Sequence, residues 1–377
     1  MSSKPASGMI LYVDGMDFRR TGIGRVLESV LVGLIESDRV SGIQTVVPAT
    51  RAGEFQADYV CHPKVRALFA GFGPFTPGDF LLKQRLIDGF SPRADVSLFP
   101  NMNVPLFPKG KFVFTVNDII MMTSDSSWSP AKKYLFRALT ERALSRCSGL
   151  VCISDFTRCE VERVFGKGRA PVRVIQPALG EEYLNVDPEP YRRAPLVSGD
   201  YLLHVGIRVG HKNHAGLIRG WVEARKAFPS LKLVVAGKRL WEDDVDRLRR
   251  ELSLGPELVE LTGATDDQIR NLYANAKLFV FPSFAEGFGI PPLEAMAMGV
   301  PVICSDIKVL REVNGDAALY VDPRSPREIG RGIVFVLSDP DLGGRLVAAG
   351  RTRSALFTRR RMAEGYVSFL EAICRAQ

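Results

Sequence analysis

Phe281-Pro282-Ser283-Phe284-Ala285-Glu286-Gly287-Phe288-Gly289-Ile290-Pro291-Pro292-Leu293-Glu294-Ala295-Met296-Ala297-Met298-Gly299-Val300-Pro301-Val302-Ile303 reads as strand, glycine loop, short helix, strand. The apolar run Leu278-Phe279-Val280-Phe281 suits a buried parallel strand. Pro292 fits the first helical turn, where its missing N–H costs nothing, and Gly299 stops the helix. Pro301-Val302-Ile303-Cys304 opens the next strand. Gly287 and Gly289 let the backbone approach a ligand closely, so that unpaired N–H groups of the first turn can point at a phosphate. Glu286 lies in the loop and Glu294 at about the third helical position, both as acceptors for hydroxyl groups. A phosphate between two such carboxylates outlines a sugar nucleotide, with one carboxylate for ribose and the other for the sugar beyond the diphosphate. An ordinary βα turn with a capping glutamate is the plainer reading.

The same rhythm extends along the chain. Apolar runs at Met9 to Val13, Gly42 to Val47, Val96 to Phe99, Phe112 to Val116, Leu150 to Ser154 and Val172 to Ile175 alternate with helical patterns such as Gly24 to Glu36. A second series runs through Tyr201 to Val205, Leu231 to Ala236, Val259 to Leu261, Leu278 to Phe281, Val300 to Cys304 and Ala318 to Val321. Such alternation predicts parallel sheets covered by helices. Between the series, Asn185 to Pro195 is proline-rich without periodicity and reads as a linker. The expected fold class is α/β, with two Rossmann-like domains, residues 1–185 and 201–355, facing across a cleft and joined through residues 186–200.

A length of 377 residues and a hydrophobic content of 46% support a core in each domain. The net charge of +8 is compatible with nucleic acid, anionic lipid or diphosphate substrates. No apolar run is long enough to span a membrane and Met1 to Gly8 leads straight into a strand, so a cytoplasmic protein is expected. The cysteines form no C-x-x-C pair and read as reduced thiols. His204, His211 and His214 share one short segment, but no carboxylate or thiol stands at ligand spacing beside them, so no metal is expected. Asp244-Val245-Asp246 lies in the charged stretch Trp241 to Leu252 and reads as a solvated helix face.

Several polar loops follow strands. Asp17 to Arg25 carries Gly22 and Gly24 at the start of a helix, without the full dinucleotide fingerprint. Leu203 to Asn213 places Arg208 and Lys212 at a strand's carboxyl end, suited to neutralising a departing diphosphate or, more plainly, forming a solvated basic turn. Ser154 suits a helix cap. The helix Pro130 to Arg146 is amphipathic and basic, and reads either as a covering helix or as a face for a membrane surface.

The run EGFGIPPLEAMAMGVPVICSD closely resembles the retaining, nucleotide-sugar-dependent glycosyltransferases of the GT-B fold, family 4. The resemblance is strongest from Tyr201 to Pro323 and includes Val313-Asn314-Gly315-Asp316. It implies transfer of a mannose- or rhamnose-like sugar from a nucleoside-diphosphate donor to a glycan or lipid-linked hydroxyl. No metal and no separate cofactor are implied, nor any nucleic acid, and a peripheral contact with the inner membrane surface is compatible with it. Arg208, Lys212 and Glu286 are the implied catalytic residues. Gly22, Gly24, Asn117, Gly206, Gly263, Gly287, Phe288, Gly289, Ile290 and Glu294 are the implied nucleotide-sugar-binding positions. Asn117 departs from the family, where a histidine commonly contacts the sugar; an amide orients a hydroxyl but does not titrate near neutrality. The last helix, in residues 356–377, is expected to cross back to the N-terminal domain. A nucleotide-sugar 2-epimerase and a catalytically silent sugar-nucleotide-binding protein are the alternatives.

Overall fold

The structure, a computed structural model, describes residues 8–19, 22–59, 61–122, 129–184, 186–239 and 244–376. Arg20 and Thr21 of the glycine loop, Asn185 of the expected linker and Trp241 of the charged helix lie outside them. The chain divides into two compact units, one running to Gly180 and resuming at Thr358, the other formed by Glu181–Phe357.

In the first unit the strands are β1 (Met9–Val13), β2 (Val40–Pro48), β3 (Val65–Ala70), β4 (Val96–Phe99), β5 (Phe112–Val116), β6 (Gly149–Cys152) and β7 (Val172–Val174). All pairs are parallel, in the order β3-β2-β1-β4-β5-β6-β7. Because helices cover both faces, the central strands are apolar throughout, and Tyr12, Phe99, Phe114, Val116 and Cys152 form the core. The helix Gly22–Glu36 starts at the first glycine of its loop, two residues earlier than its apolar period suggests. The helix Arg359–Arg375 belongs to this unit. It packs closely because glycines face it: a Cβ at Gly33 would stand 2.4 Å from Ala363 Cβ, and one at Gly149 would stand 2.8 Å from the Phe369 ring.

The second unit contains β8 (Tyr201–Val205), β9 (Lys232–Ala236), β10 (Leu258–Leu261), β11 (Leu278–Phe281), β12 (Val302–Ser305) and β13 (Leu319–Val321). Its sheet is also all parallel, in the order β10-β9-β8-β11-β12-β13. The strand order reverses between β8 and β11, the position at which open α/β sheets bind ligands outside the carboxyl ends of their strands. The core runs through Leu202, Trp221, Leu233, Val280, Ile303, Ile329 and Ile333, and the Trp221 indole donates to the Leu231 carbonyl at 3.0 Å.

The segment expected to be a linker is a folded part of this unit. Its helix Glu189–Arg193 docks on the helix Asp266–Asn275: the Tyr191 hydroxyl lies 2.9 Å from Asp267 Oδ1, and Asn271 donates to the Ala194 carbonyl at 2.8 Å. Its prolines removed the apolar period from the sequence, while the polar contacts that seat it left no pattern. No helix among the described residues is long and apolar enough to cross a membrane.

Candidate functional site

The loops after β8 and β11 flank the reversal point of the second sheet. At the end of β8 the backbone is crowded: a Cβ at Gly237 would fall 1.8 Å from the Gly206 carbonyl oxygen, so glycine is required there. The chain then reaches Arg208, fully enclosed, with its guanidinium 2.7 Å from Glu260 Oε2. Arg249 holds the other oxygen of that carboxylate. Burial works to raise the Glu260 carboxyl, but the hydrogen bonds from Arg249 and Arg208 outweigh it and hold the group below its ordinary value. The two cations of the basic turn thus have different surroundings. Arg208 is enclosed with a carboxylate of β10, whereas Lys212 reaches Glu286.

The Lys212 ammonium donates to Glu286 Oε1 at 2.7 Å and sits 5.0 Å over the Phe281 ring. Their side chains keep 14% and 9% of their surface. Behind them His204 lies in β8 with Nδ1 3.0 Å from the Val280 carbonyl. A carbonyl only accepts, so Nδ1 carries the hydrogen and Nε2 the lone pair. Burial pushes this imidazole down to about 4 and that of His214 down to about 2. The two neutral rings meet edge to face at 4.8 Å. No group of three His, Cys, Asp or Glu among the described residues is arranged to hold a metal.

After β11, Gly289 caps the helix Ile290–Ala297 with φ of 102°. A Cβ there would stand 2.6 Å from Leu310 Cδ2. Pro291 and Pro292 carry no N–H, so Gly289 and Ile290 supply the donors at the start of the helix. Because the helix begins at Ile290, Glu294 is its fifth residue rather than about its third, roughly half a turn further from the positive end. Glu294 is buried and its Oε2 accepts from the Tyr273 hydroxyl at 2.8 Å. Phe288 is buried edge-on against Phe357 at 5.6 Å. Gly263 has φ of 74° and open space where a side chain would stand. Gly299, with φ of 76°, follows the last turn.

The other sequence-derived positions belong to the first unit. Gly22 has open space at its Cβ position, whereas a Cβ at Gly24 would stand 2.6 Å from the Asp17 carbonyl oxygen. Asn117 is buried and donates to the Pro100 carbonyl at 3.1 Å, joining the ends of β5 and β4. Ser154 caps the helix Asp155–Phe165. Beneath β1 and β4 lies an ionic cluster that sequence reasoning missed: the Lys83 ammonium, with no exposed surface, is 3.0 Å from Asp14 Oδ2 and 2.7 Å from Asp79 Oδ1. Burial pushes the Asp14 carboxyl up to about 7 despite Lys83.

Glu260, Tyr273 and Asn213 were also missed. Tyr273 was within reach, because the capping box Thr265/Gln268 fixes the start of its helix and the period puts Ile269, Leu272 and Tyr273 on the buried face. A glutamate inside the short apolar run Leu258-Val259-Glu260-Leu261 was the available signal for a partly buried, paired charge.

A parallel sheet with a glycine-capped helix and a lysine–glutamate pair at its reversal point has the layout of a ligand-binding α/β domain. Residues 194–353 match the family described as glycosyl transferases group 1, and this stretch is a glycosyltransferase domain of that group. Over 256 residues, 65% of the chain, the sequence is 32% identical to the O-antigen chain mannosyltransferase B of Escherichia coli. Over 229 residues, 60% of the chain, it is 28% identical to the O-antigen chain mannosyltransferase RfbU of Salmonella typhimurium. The matches span 66% and 61% of those relatives' own lengths, short of two thirds in both. Among solved structures, sucrose-phosphate synthase from Thermosynechococcus elongatus shares the fold with a TM-score of 0.79, covering 98% of this chain and 100% of that one at 17% identity. The fold is therefore GT-B, two parallel-sheet Rossmann-like domains.

Proposed function

We propose that the chain is a retaining glycosyltransferase of family 4 that moves a mannosyl group from a nucleoside-diphosphate donor to a hydroxyl of a glycan or lipid-linked acceptor, without a metal. The observation that carries the reading is the Lys212–Glu286 pair at the β8/β11 reversal point, with Glu286 on the loop that leads into a helix start whose donors are Gly289 and Ile290. The mannosyl choice and the setting, assembly of an O-antigen-type polysaccharide, follow the names of the two relatives.

In this mechanism Glu286 exchanges its bond with Lys212 for hydroxyls of the donor sugar. Lys212 and the helix N–H groups then face the diphosphate, whose negative charge grows as the glycosidic bond breaks. Gly206, Gly263, Gly287 and Phe288 shape the donor's bed, and Glu294, oriented by its bond from the Tyr273 hydroxyl, serves the ribose. Arg208, engaged with Glu260, contributes by bracing the loop and through its field rather than by contact. The leaving diphosphate accepts the proton of the incoming hydroxyl, so catalysis is positioning plus electrostatic stabilisation. Gly22, Gly24 and Asn117 are assigned by the family resemblance to binding of acceptor and sugar. Work at the cytoplasmic face of a membrane fits the helix Pro130–Leu144, which exposes 77% of Tyr134 and 57% of Leu135 beside Lys132 and Lys133.

Thermal shifts against a panel of UDP, GDP, ADP and dTDP sugars test the donor reading, because a specific ligand stabilises the fold by mass action. Release of nucleoside diphosphate that depends on an added lipid-linked glycan supports transfer. Conversion of the donor to its epimer without any acceptor would replace transfer by epimerisation.

A further inference from the structure

Lys212 and Glu286 are 74 residues apart in sequence and stand on separate loops, so something other than their own ion pair must hold them together once a substrate competes for Glu286. Asn213 has the required bonds. It is 5% exposed and adopts the left-handed conformation at φ of 56°, a strain that asparagine tolerates better than other residues with a side chain. Its Oδ1 accepts from the Gly216 N–H at 3.0 Å, capping the helix His214–Ala224. That fixes which way the amide points. Nδ2 then donates to the Pro282 carbonyl at 3.0 Å, immediately after β11, and to the Pro323 carbonyl at 2.7 Å, beyond β13. A further bond, from the Phe284 N–H to the His211 carbonyl at 2.8 Å, runs between the same two loops. Neither acceptor proline carbonyl is a group that a sugar nucleotide would displace.

We propose that Asn213 is the positioning residue of the site: its amide ties the backbone beside Lys212 to the loop that carries Glu286, and keeps the ammonium in register when substrate breaks the ion pair. This rests on the use of Lys212 proposed above. Aspartate in its place would keep the helix cap but turn an anionic oxygen toward two carbonyls; glycine would keep the backbone conformation and lose all three side-chain bonds.

The test uses the full chain, with Asn213→Gly and Asn213→Asp compared at a temperature where thermal melting shows each folded. Lysine acylation by acetic anhydride, read by mass spectrometry, reports the surroundings of Lys212 without any donor. It is expected to rise several-fold at Lys212 in both variants, while Lys83 and Lys238 react as before. With GDP-mannose as the probe donor, kcat for GDP release should fall about tenfold, as expected for a misplaced catalytic group, with KM little changed. In a Lys212→Ala background the same substitutions should lower kcat no further. Unchanged Lys212 acylation in folded variants whose only change is a lower Tm would overturn the assignment, as would losses that add to that of Lys212→Ala. Raised acylation together with a Lys212→Ala variant of normal turnover would leave Asn213 as the brace of this loop and instead remove Lys212 from the mechanism.

Discussion

Replacing Lys212 with alanine separates charge stabilisation from simple binding. A cation about 4 Å from a phosphate oxygen, at an effective dielectric of about 20, is worth about 4 kcal/mol. Water reaches part of the group, since 14% of the Lys212 side chain is exposed, and only the charge that grows on bond breaking counts toward kcat. That leaves about 2.7 kcal/mol, a fall of about a hundredfold in kcat, against a much smaller change in donor affinity. The substitution also strips Glu286, itself buried, of its 2.7 Å partner, at a cost of about 1–3 kcal/mol in stability. Tm is therefore measured first and the kinetics run well below it. The assay is the initial rate of nucleoside-diphosphate release at varied donor, with donor Kd from calorimetry. Equal losses in kcat and in affinity would mean that the lysine binds ground-state charge only, and a kcat within about threefold of the parent would refute the electrostatic argument altogether.

Tyr273→Phe removes the hydroxyl that donates to Glu294 at 2.8 Å, and should cost about 1–3 kcal/mol in thermal unfolding while weakening nucleotide binding. Asp14 titrates at about 7 in the folded chain against an ordinary 3.8, so the folded state keeps a proton that the unfolded state has released. Its stabilising contribution is complete below about 4 and is lost as pH rises through 7. Denaturation midpoints of the parent minus those of Asp14→Asn should fall over that window and level off above it; a flat difference would refute the assignment. Gly33→Ala places a methyl 2.4 Å from Ala363 Cβ and should lower stability by about 1–3 kcal/mol, read as an earlier unfolding transition of the first unit.

Most strands were legible because parallel strands covered on both faces are written as short, unbroken apolar runs, Phe112-Val113-Phe114-Thr115-Val116 among them. β3 was not, because it is an edge strand whose run is broken by the exposed Arg66. The glycine-capped helix could be read from Gly289 and the prolines, but its exact start could not, and this displaced Glu294 by two helical positions. Lys212 and Glu286 were each visible, but their bond was not, since it joins segments that only the sheet order brings together. The enclosure of Arg208 was hidden for the same reason: its partner Glu260 lies on a strand two places away in the sheet.

The helix Arg359–Arg375 also bears on the order in which the chain folds during synthesis. The first unit needs that helix against Gly33 and Gly149, and Lys111 donates to the Cys374 carbonyl at 2.9 Å. None of these contacts can form until Glu181–Phe357 has been made, about 9–35 s later at ~5–20 residues per second. The second unit, continuous in sequence, can finish first. The unit begun first is then completed last, and until then its unpacked face, around Gly33 and Gly149, is the stretch of nascent chain that most needs protection from aggregation.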